Sequence, residues 1–292
     1  MTEGWDGRGL VSTAWLARRL AEPNLRLFDV TVHLRPSTPG PYRIESGQAD
    51  YEAGHIPGAA FLDLARDFSD PKSGLGFTMP SLAHMTRALA EAGVEADSRI
   101  VAYTTTTPMW ATRLWWMLRA CGFDNAAVLD GGFPKWSTEG RNSQKQTCRY
   151  SPARTPPKLH AIPTAWADKA AVLAAIDDGA VCTLNALSPG VHSGESAMSY
   201  GRKGHIKGSR NVPYAALLQD DGTYRADSEL RILFSSVGAL QRERVIVYCG
   251  GGISATMDAL ALTRLGHPSV AVYDGSMSEW SRDPNLPMEL GT

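Results

Sequence analysis

One stretch of the chain combines a strand-like run, a cysteine and a glycine loop: VIVYCGGGISA, residues 245–255. The β-branched run before Cys249 is typical of a buried strand, and a helical pattern begins soon after the three glycines. At such a position several backbone N–H groups and the positive end of a helix dipole converge on the sulfur. That environment favours the reactive thiolate. The stretch predicts a cysteine-dependent enzyme, although a cysteine ending a buried strand is often only a small apolar residue.

Length and composition limit the classes of protein that remain. A chain of 292 residues is long enough for two domains, and its net charge of −1 gives no reason to expect nucleic acid as a partner. No apolar run approaches the ~20 residues that cross a bilayer, and the acidic start is not a signal peptide, so we expect no membrane partner. The four cysteines are widely spaced and form no CxxC, which disfavours a zinc site and gives no disulfide framework. We therefore expect no metal, no cofactor and a reducing, cytoplasmic location.

The chain repeats itself after about 150 residues, which predicts a duplicated domain. Four segments return in the same order at offsets of 151, 150, 145 and 144 residues: 11–15 as 162–166, 54–59 as 204–209, 101–103 as 246–248, and 129–132 as 273–276. We expect an N-terminal domain at 8–140 and a C-terminal domain at 163–290. A proline-containing linker at 141–162 joins them.

Short apolar or β-branched runs alternate with longer helical patterns in both halves, which predicts an α/β fold. The expected strands are 26–30, 59–62, 99–103 and 126–130, then 181–185, 210–213, 244–248 and 270–273. The expected helices are 12–21, 81–92 and 108–120, then 164–178, 228–239 and 254–265. Each half should form a mostly parallel sheet flanked by helices. Ligands bind at the carboxyl ends of such strands, where Cys249 lies.

With these features, the chain resembles the two-domain rhodanese-type sulfurtransferases, which include thiosulfate and 3-mercaptopyruvate sulfurtransferases. The motifs that carry the resemblance are the turns GHIPGA at 54–59 and GHIKGS at 204–209, the segment YDGSMSEW at 273–280, and the Cys249 loop. The resemblance implies tandem rhodanese-like domains, of which only the C-terminal one is catalytic. The sequence agrees, because four threonines follow Tyr103 where Cys249 follows Tyr248.

The resemblance also implies a double-displacement reaction. Cys249 takes a sulfane sulfur from a small anionic donor, 3-mercaptopyruvate or thiosulfate, and passes it from a persulfide to cyanide or to a thiol, including a protein thiol. No basic side chain lies in the loop, so its backbone N–H groups must stabilise the anion; the loop consists of Gly250, Gly251, Gly252, Ile253, Ser254 and Ala255. We expect the glycines to adopt positive φ and Ser254 to donate a hydroxyl or cap the helix.

The chain departs from the family where the substrate anion binds. Asn185 replaces the usual aspartate, and the usual arginines are replaced by Leu187, Val191 and Ser193. Either the donor is unusual or another basic residue takes over, and the nearest candidates are Arg202, Lys203 and Lys207. His192 is a further candidate pocket residue. His55 is a candidate for a proton relay, although a structural role explains more simply why both paired turns carry a histidine.

Two other classes of protein share part of this pattern. A cysteine phosphatase requires Cys-x5-Arg, with the arginine clamping phosphate, and Ala255 stands at that position. The second alternative is a rhodanese-like binding or regulatory module without turnover. The missing arginines favour that module, whereas the intact Cys249 loop opposes it.

Overall fold

The structure is a computed structural model that describes residues 5, 8–35, 37 and 42–291. Its N-terminal domain has seven strands among these residues: β1 (Leu10–Val11), β2 (Leu25–Asp29), β3 (Val32–Arg35), β4 (Arg43–Ser46), β5 (Ala60–Phe61), β6 (Arg99–Tyr103) and β7 (Ala126–Leu129). Five of them form a parallel sheet in the order β1-β7-β6-β2-β5. The other two, β3 and β4, form an antiparallel hairpin.

Helices flank this first sheet: α1 (Thr13–Ala17), α2 (Gln48–Ala53), α3 (Leu64–Asp67), α4 (Leu82–Glu91), α5 (Met109–Ala120) and α6 (Gly132–Thr138). Two of them begin at serine caps, because the Ser12 and Ser81 hydroxyls accept the N–H groups of Trp15 and His84. Nearly every side chain of α5 is buried, which distinguishes it from the half-exposed α4.

The C-terminal domain contains β8 (Trp166–Ala167), β9 (Val181–Asn185), β10 (His205–Ile206), β11 (Arg210–Asn211), β12 (Arg244–Tyr248), β13 (Val270–Tyr273) and β14 (Met288–Glu289). A five-stranded parallel sheet has the order β11-β9-β12-β13-β8, and β10 pairs antiparallel with β14. Its α-helices are α7 (Lys169–Ala175), α8 (Pro189–Ser193), α9 (Asp227–Ser236), α10 (Ala255–Arg264) and α11 (Ser276–Trp280). None of the described helices is long and apolar enough to cross a membrane.

The two sheets have the same strand order, so the predicted duplication of a mostly parallel α/β domain is confirmed. One part of the predicted repeat is wrong in register. Val11 pairs with Leu129, and Ala167 pairs with Tyr273, the equivalent of Leu129. The equivalent of Val11 is therefore Ala167, 156 residues further on (167 − 11), and the match of 11–15 to 162–166 is displaced by five residues (156 − 151).

The predicted helix at 164–178 is also wrong over its first third. A short 3-10 turn at Pro163–Ala165 leads into strand β8, and α7 starts only after Asp168, whose carboxylate accepts the N–H of Ala171 at 2.8 Å. The helix expected at 12–21 ends at Ala17. Both edge strands that were missed, β1 and β8, have two residues each, too few to display a period of two.

Segment 141–162 follows the surface of the N-terminal domain and is not a free connector. Gln144 exchanges two backbone hydrogen bonds with His55, both of 2.9 Å, and Ile162 donates to the carbonyl of Ala120 at 2.8 Å. The backbone N–H of Arg154 donates to the Glu95 carboxylate at 2.8 Å, so this part of the segment lies against the N-terminal domain.

The two domains meet through equivalent elements. Helices α5 and α10 pack together, and the hydroxyl oxygens of Thr112 and Thr256, equivalent residues 144 positions apart, lie 2.7 Å from each other. Two equivalent aspartates also cross the interface. Asp130 accepts the N–H of Tyr224 at 2.9 Å, and Asp274 accepts the N–H of Met79 at 2.7 Å. The domains are therefore related by an approximate twofold axis.

Candidate active site

Cys249 follows the central strand of the C-terminal sheet and is only 2% exposed. Its N–H donates to the Ser276 hydroxyl oxygen at 3.1 Å, and its carbonyl accepts the N–H of Met277 at 3.0 Å. The Ser276 hydroxyl in turn donates to the carbonyl of Tyr273 at 2.7 Å. Ser276 has a φ of 48°, the only positive φ of a non-glycine residue among those described. Backbone strain of this kind persists only where the surrounding structure holds the residue in place. Here the strained Ser276 accepts the Cys249 N–H and so holds the backbone of Cys249.

The loop after Cys249 is held by its carbonyls, not by its N–H groups. The carbonyl of Gly250 accepts the N–H of Ser278 at 2.8 Å, and that of Gly252 accepts from the Arg113 guanidinium at 3.1 Å. The six backbone N–H groups of residues 250–255 donate to no other residue that the structure describes. Helix α10 starts at the last of them. The loop therefore offers unpaired donors and a helix N-terminus to a negatively charged sulfur.

The three glycines have different functions. Gly252 alone adopts positive φ, at 74°, so the expectation of positive φ is wrong for Gly250 and Gly251. Gly250 is needed because any side chain there would overlap the ring of Tyr200. A Cβ on Gly251 would lie 3.4 Å from the Tyr42 hydroxyl, an ordinary contact, and this residue is partly exposed.

Ser254 is placed at the start of α10 but makes no capping hydrogen bond, so the expected cap is wrong. Its backbone is already helical, with φ −63° and ψ −24°, whereas a capping serine normally has extended backbone. Ile253 and Ala255 are buried.

The equivalent loop of the N-terminal domain is filled by its own threonines. The hydroxyl of Thr104, the equivalent of Cys249, donates to the carbonyls of Thr106 at 3.0 Å and Thr107 at 3.2 Å. The N–H of Thr105 donates to the Thr31 hydroxyl oxygen at 2.9 Å. This loop therefore has no thiol, and part of its donor capacity is already used.

Arg113 on α5 is buried and joins the domains at the loop. Its guanidinium lies 2.7 Å from the Asp274 carboxylate, donates to the carbonyls of Gly252 and Phe77, and stacks over the Trp166 ring at 4.7 Å. Sequence patterns do not single out Arg113. The one available signal is that its equivalent on α10 is the apolar Met257.

Two tyrosines from different parts of the chain contact the loop. Tyr42 precedes β4 in the N-terminal domain, and Tyr200 follows α8 in the C-terminal domain. Their rings meet edge to face, with centroids 6.3 Å apart. The Tyr200 ring lies on Gly250, and the Tyr42 hydroxyl lies above Gly251. Sequence analysis missed both, since neither belongs to a motif that repeats.

The candidate basic residues have different surroundings. The guanidinium of Arg202 donates to four backbone carbonyls, those of Trp280, Ser281, Asp283 and Leu286. Its hydrogen-bonding capacity is thus directed at the segment after α11. Lys203 is exposed and borders a small cavity that Tyr200 and Met277 also line.

The candidate histidines are buried in equivalent stacks. His205 stacks on His192, and His55 stacks on Tyr51, each pair with ring centroids 3.8 Å apart. The Nδ1 atom of each turn histidine hydrogen-bonds the backbone carbonyl of its stacking partner, at 2.8 Å for His205 and 2.7 Å for His55. His55 is thereby fixed within the N-terminal domain, with its Nε2 next to Gln144.

His192 occupies the place that Tyr51 has in the other domain. The side-chain amide of Asn185 donates its Nδ2 hydrogen to the His192 Nδ1 at 3.1 Å, while its Oδ1 accepts the N–H of Leu187 at 2.9 Å. Burial, and then the neighbouring His205, lowers the pKa of His192 to about 4, so the ring is neutral at physiological pH. The structure thus brings His192, His205 and Asn185 together in the core of the C-terminal domain.

Together these features define a thiol site, without a basic side chain in its loop, at the carboxyl end of a parallel sheet in a duplicated α/β fold. Among the described residues, no group of three or more His, Cys, Asp or Glu residues is placed to hold a metal ion.

Comparisons with known proteins give the family. The Rhodanese-like domain model matches residues 12–139 and 193–283. The chain is 36% identical over 251 residues to the putative thiosulfate sulfurtransferase SseB of Mycobacterium tuberculosis, which covers 84% of this chain and 87% of that protein. It is 31% identical to the thiosulfate sulfurtransferase of Rattus norvegicus, over 94% of this chain and 92% of that protein. The chain belongs to the rhodanese family.

A solved structure agrees with this assignment. The crystal structure of SseA from Escherichia coli, named among the 3-mercaptopyruvate sulfotransferases, matches with a TM-score of 0.80 at 28% identity, over 92% of this chain and 99% of that one. The relatives are named sulfurtransferases, which supports sulfur transfer and an enzymatic role for this chain.

Proposed function

We propose that the protein is a sulfurtransferase that carries sulfane sulfur on Cys249 as a persulfide. The observation that carries this proposal is the run of six N–H groups at 250–255, which donate to no described residue. A persulfide is an anion, and the loop has no basic side chain to neutralise it. Preorganised backbone donors in a site shielded from water can supply that stabilisation.

In the first half-reaction the Cys249 thiolate attacks the outer sulfur of the donor. A bond forms between the two sulfurs, and the bond from the outer sulfur to the rest of the donor breaks, leaving its electron pair on the departing group. With thiosulfate that group is sulfite. With 3-mercaptopyruvate it is the enolate of pyruvate, which takes up the proton of the donor thiol to give pyruvate.

In the second half-reaction an acceptor nucleophile attacks the outer sulfur of the persulfide. The sulfur–sulfur bond breaks, and its electron pair returns to Cys249 as the thiolate. Cyanide leaves as thiocyanate, and a thiol acceptor leaves as its own persulfide. The fixed backbone of Cys249, held by Ser276 and Met277, keeps the sulfur at the same loop through both steps.

The N-terminal domain has a supporting part in this proposal. Its own loop is filled by threonines, but it supplies Arg113 to the Gly252 carbonyl and Tyr42 to the surface of the loop.

The four cysteines are free thiols, which supports a reducing compartment and the predicted cytoplasmic location.

The test is thiocyanate release from cyanide, with thiosulfate or 3-mercaptopyruvate as donor. Cys249→Ser should abolish turnover, whereas the matched control Cys148→Ser, at a partly exposed thiol of the linker segment, should retain it. Intact-mass measurement after donor alone should show one added sulfur atom on wild type and none on Cys249→Ser. Folded, reduced protein that forms no persulfide with either donor would contradict the proposal and favour the non-catalytic module.

A further inference from the structure

The candidate pocket has no arginine at positions 187, 191 and 193, where the family resemblance implies one. Leu187 is buried, and the Arg202 guanidinium is directed at backbone carbonyls after α11. A donor that reaches Cys249 still brings at least one negative charge, and an unpaired buried charge is strongly disfavoured. The loop N–H groups serve the sulfur, so other groups beside the loop must accept the charge of the donor's head group.

The groups that lie there are two phenol hydroxyls. The Tyr42 hydroxyl would be 3.4 Å from a Cβ on Gly251, and the Tyr200 hydroxyl and ring rest on Gly250. These glycines directly follow Cys249, and the edge-to-face contact of the two rings holds both side chains over them. Access to the buried Cys249 sulfur is therefore bordered by a tyrosine from each domain.

Neither hydroxyl makes a hydrogen bond to any residue within the described part of the chain. Neither hydroxyl is among the buried polar atoms that lack a partner, so both are open to a ligand or to water. The Tyr51, Tyr150 and Tyr248 hydroxyls, in contrast, already have hydrogen-bond partners. Two available donors thus lie together beside the loop that a ligand must reach.

We propose that Tyr42 and Tyr200 bind the anionic head group of the sulfur donor, their hydroxyls donating hydrogen bonds where relatives use arginine. The inference rests on the proposed function of Cys249, because it concerns the donor of that same reaction. It makes the site a composite of both domains and gives Tyr42, a residue of the non-catalytic domain, a direct contact with substrate.

The electrostatics agree with a donating role. Burial, followed by the charge of Cys249, raises the pKa of Tyr42 to about 12, and the same two causes raise the pKa of Tyr200. Both hydroxyls therefore keep their protons through the range where thiols react. Arg282, exposed after α11, acts on the pKa of Tyr42 in the lowering direction, which indicates a positive charge near this hydroxyl.

The geometry also indicates a class of donor. Two neutral hydroxyls match a singly charged, planar carboxylate better than the doubly charged thiosulfate, whose second charge neither hydroxyl can neutralise. We therefore expect an organic carboxylate donor such as 3-mercaptopyruvate to bind more tightly than thiosulfate, and the hydroxyls to account for the difference.

The experiment measures donor binding separately from turnover. Tyr42→Phe and Tyr200→Phe keep the rings and remove only the hydroxyls. Each is made in wild type, for kinetics, and in Cys249→Ser, for calorimetric titration with 3-mercaptopyruvate and with thiosulfate. Tyr150→Phe serves as the control, because the Tyr150 hydroxyl hydrogen-bonds Leu27 and Gly58 in the N-terminal domain.

We expect each Phe variant to weaken the binding of the carboxylate donor, 3-mercaptopyruvate. Its dissociation constant and its KM should both rise roughly 10-fold or more, as for a lost hydrogen bond to a charged group, with kcat changed much less. Tyr150→Phe should change neither. Unchanged binding in both Phe variants overturns the inference, as does a Cys249→Ser protein that binds neither donor. If donors bind through the tyrosines but wild type forms no persulfide, the proposed function fails while the tyrosine contact stands.

Discussion

The guanidinium of Arg113, in the N-terminal domain, lies 2.7 Å from the carboxylate of Asp274, in the C-terminal domain. The same guanidinium donates to the carbonyl of Gly252 in the loop after Cys249. One buried side chain thus fixes both the domain interface and the loop that carries the thiol, so that damage to the interface should be measurable at the active site.

Replacing Arg113 should test this connection. Arg113→Met leaves the Asp274 carboxylate without its buried partner, and losses of this kind cost about 3 kcal/mol or more. We expect the free energy of unfolding in urea to fall by about that amount. Persulfide formation should slow as well, because Gly252 loses its donor.

The double variant Arg113→Met with Asp274→Asn separates the two effects. Removing the orphaned charge should restore part of the unfolding free energy but not the rate, because the loop carbonyl still lacks its donor. Equal recovery of rate and stability would contradict a specific role for Arg113 at the loop.

The three loop glycines should respond differently to alanine. Gly250→Ala places a methyl group in the Tyr200 ring, and Gly252→Ala forces a side chain into positive φ only 2.7 Å from the Asp274 carbonyl. Both should lose most thiocyanate release. Gly251→Ala makes only an ordinary contact and should keep it. Thermal unfolding midpoints should follow the same order, and a Gly251→Ala variant as damaged as the other two would contradict the described loop.

Ser276 should matter for activity more than for stability. Ser276→Gly removes the acceptor of the Cys249 N–H, at about 1 kcal/mol, but also relieves a strained φ worth about 1–2 kcal/mol. We expect little net change in unfolding free energy and roughly a 10-fold loss in kcat/KM from the unanchored thiol backbone. Ser276→Ala, which keeps the strain, is the matched control and should lose both.

Stability should fall with rising pH because of Asp258 on α10. This carboxyl is 0% exposed, and neither of its oxygens has a hydrogen-bond partner among the described residues. Burial raises the pKa of Asp258 well above its ordinary value. The native state therefore keeps a proton that the unfolded chain releases near pH 4, and unfolding becomes easier as pH rises from about 4 to the native pKa.

Asp258→Asn, which cannot ionise, isolates this contribution. The gap in unfolding free energy between the variant and wild type should shift in favour of the variant as pH rises from about 4 to about 8, because only wild type has to hold a buried proton over that range. Burial also raises the pKa of Asp130 to about 6, so its effect has the same sign but ends near that pH. A difference between variant and wild type that does not change with pH would exclude the buried proton.

Sequence patterns predict the central strands well because those strands are long and β-branched. Strands β6, β9, β12 and β13 have the predicted bounds. The patterns fail at the edges of the sheets, where β1 and β8 have two residues each. Such short strands form because they hydrogen-bond to a neighbouring strand, and not because of their own sequence pattern. For this reason the patterns assign Trp166 to a helix and align the repeat five residues out of register.

The residues of the candidate active site likewise fall into those that the sequence predicts and those that it does not. Cys249 and its loop can be found from the sequence because they lie on one local motif. Tyr42 and Arg113 are missed because they approach that loop from distant parts of the chain, and only the folded packing brings them there. Ser276 lies in the motif segment 273–280, but its contact with the Cys249 N–H also depends on that packing. The stacking of His192 on His205 cannot be predicted from the sequence either, since periodicity does not indicate which rings contact each other in a core.

The 2.7 Å contact between Thr112 and Thr256 has a consequence for the history of the chain. Two copies of one residue that meet on a twofold axis are the mark of an isologous contact, as in a homodimer. Fusion of such a dimer into one polypeptide frees the copies from having to remain identical. The two domains now differ at the loop, where Thr104 stands in place of Cys249, and on the helix, where Arg113 stands in place of Met257. The N-terminal domain thus acts as a fused subunit that supports the loop of the C-terminal domain.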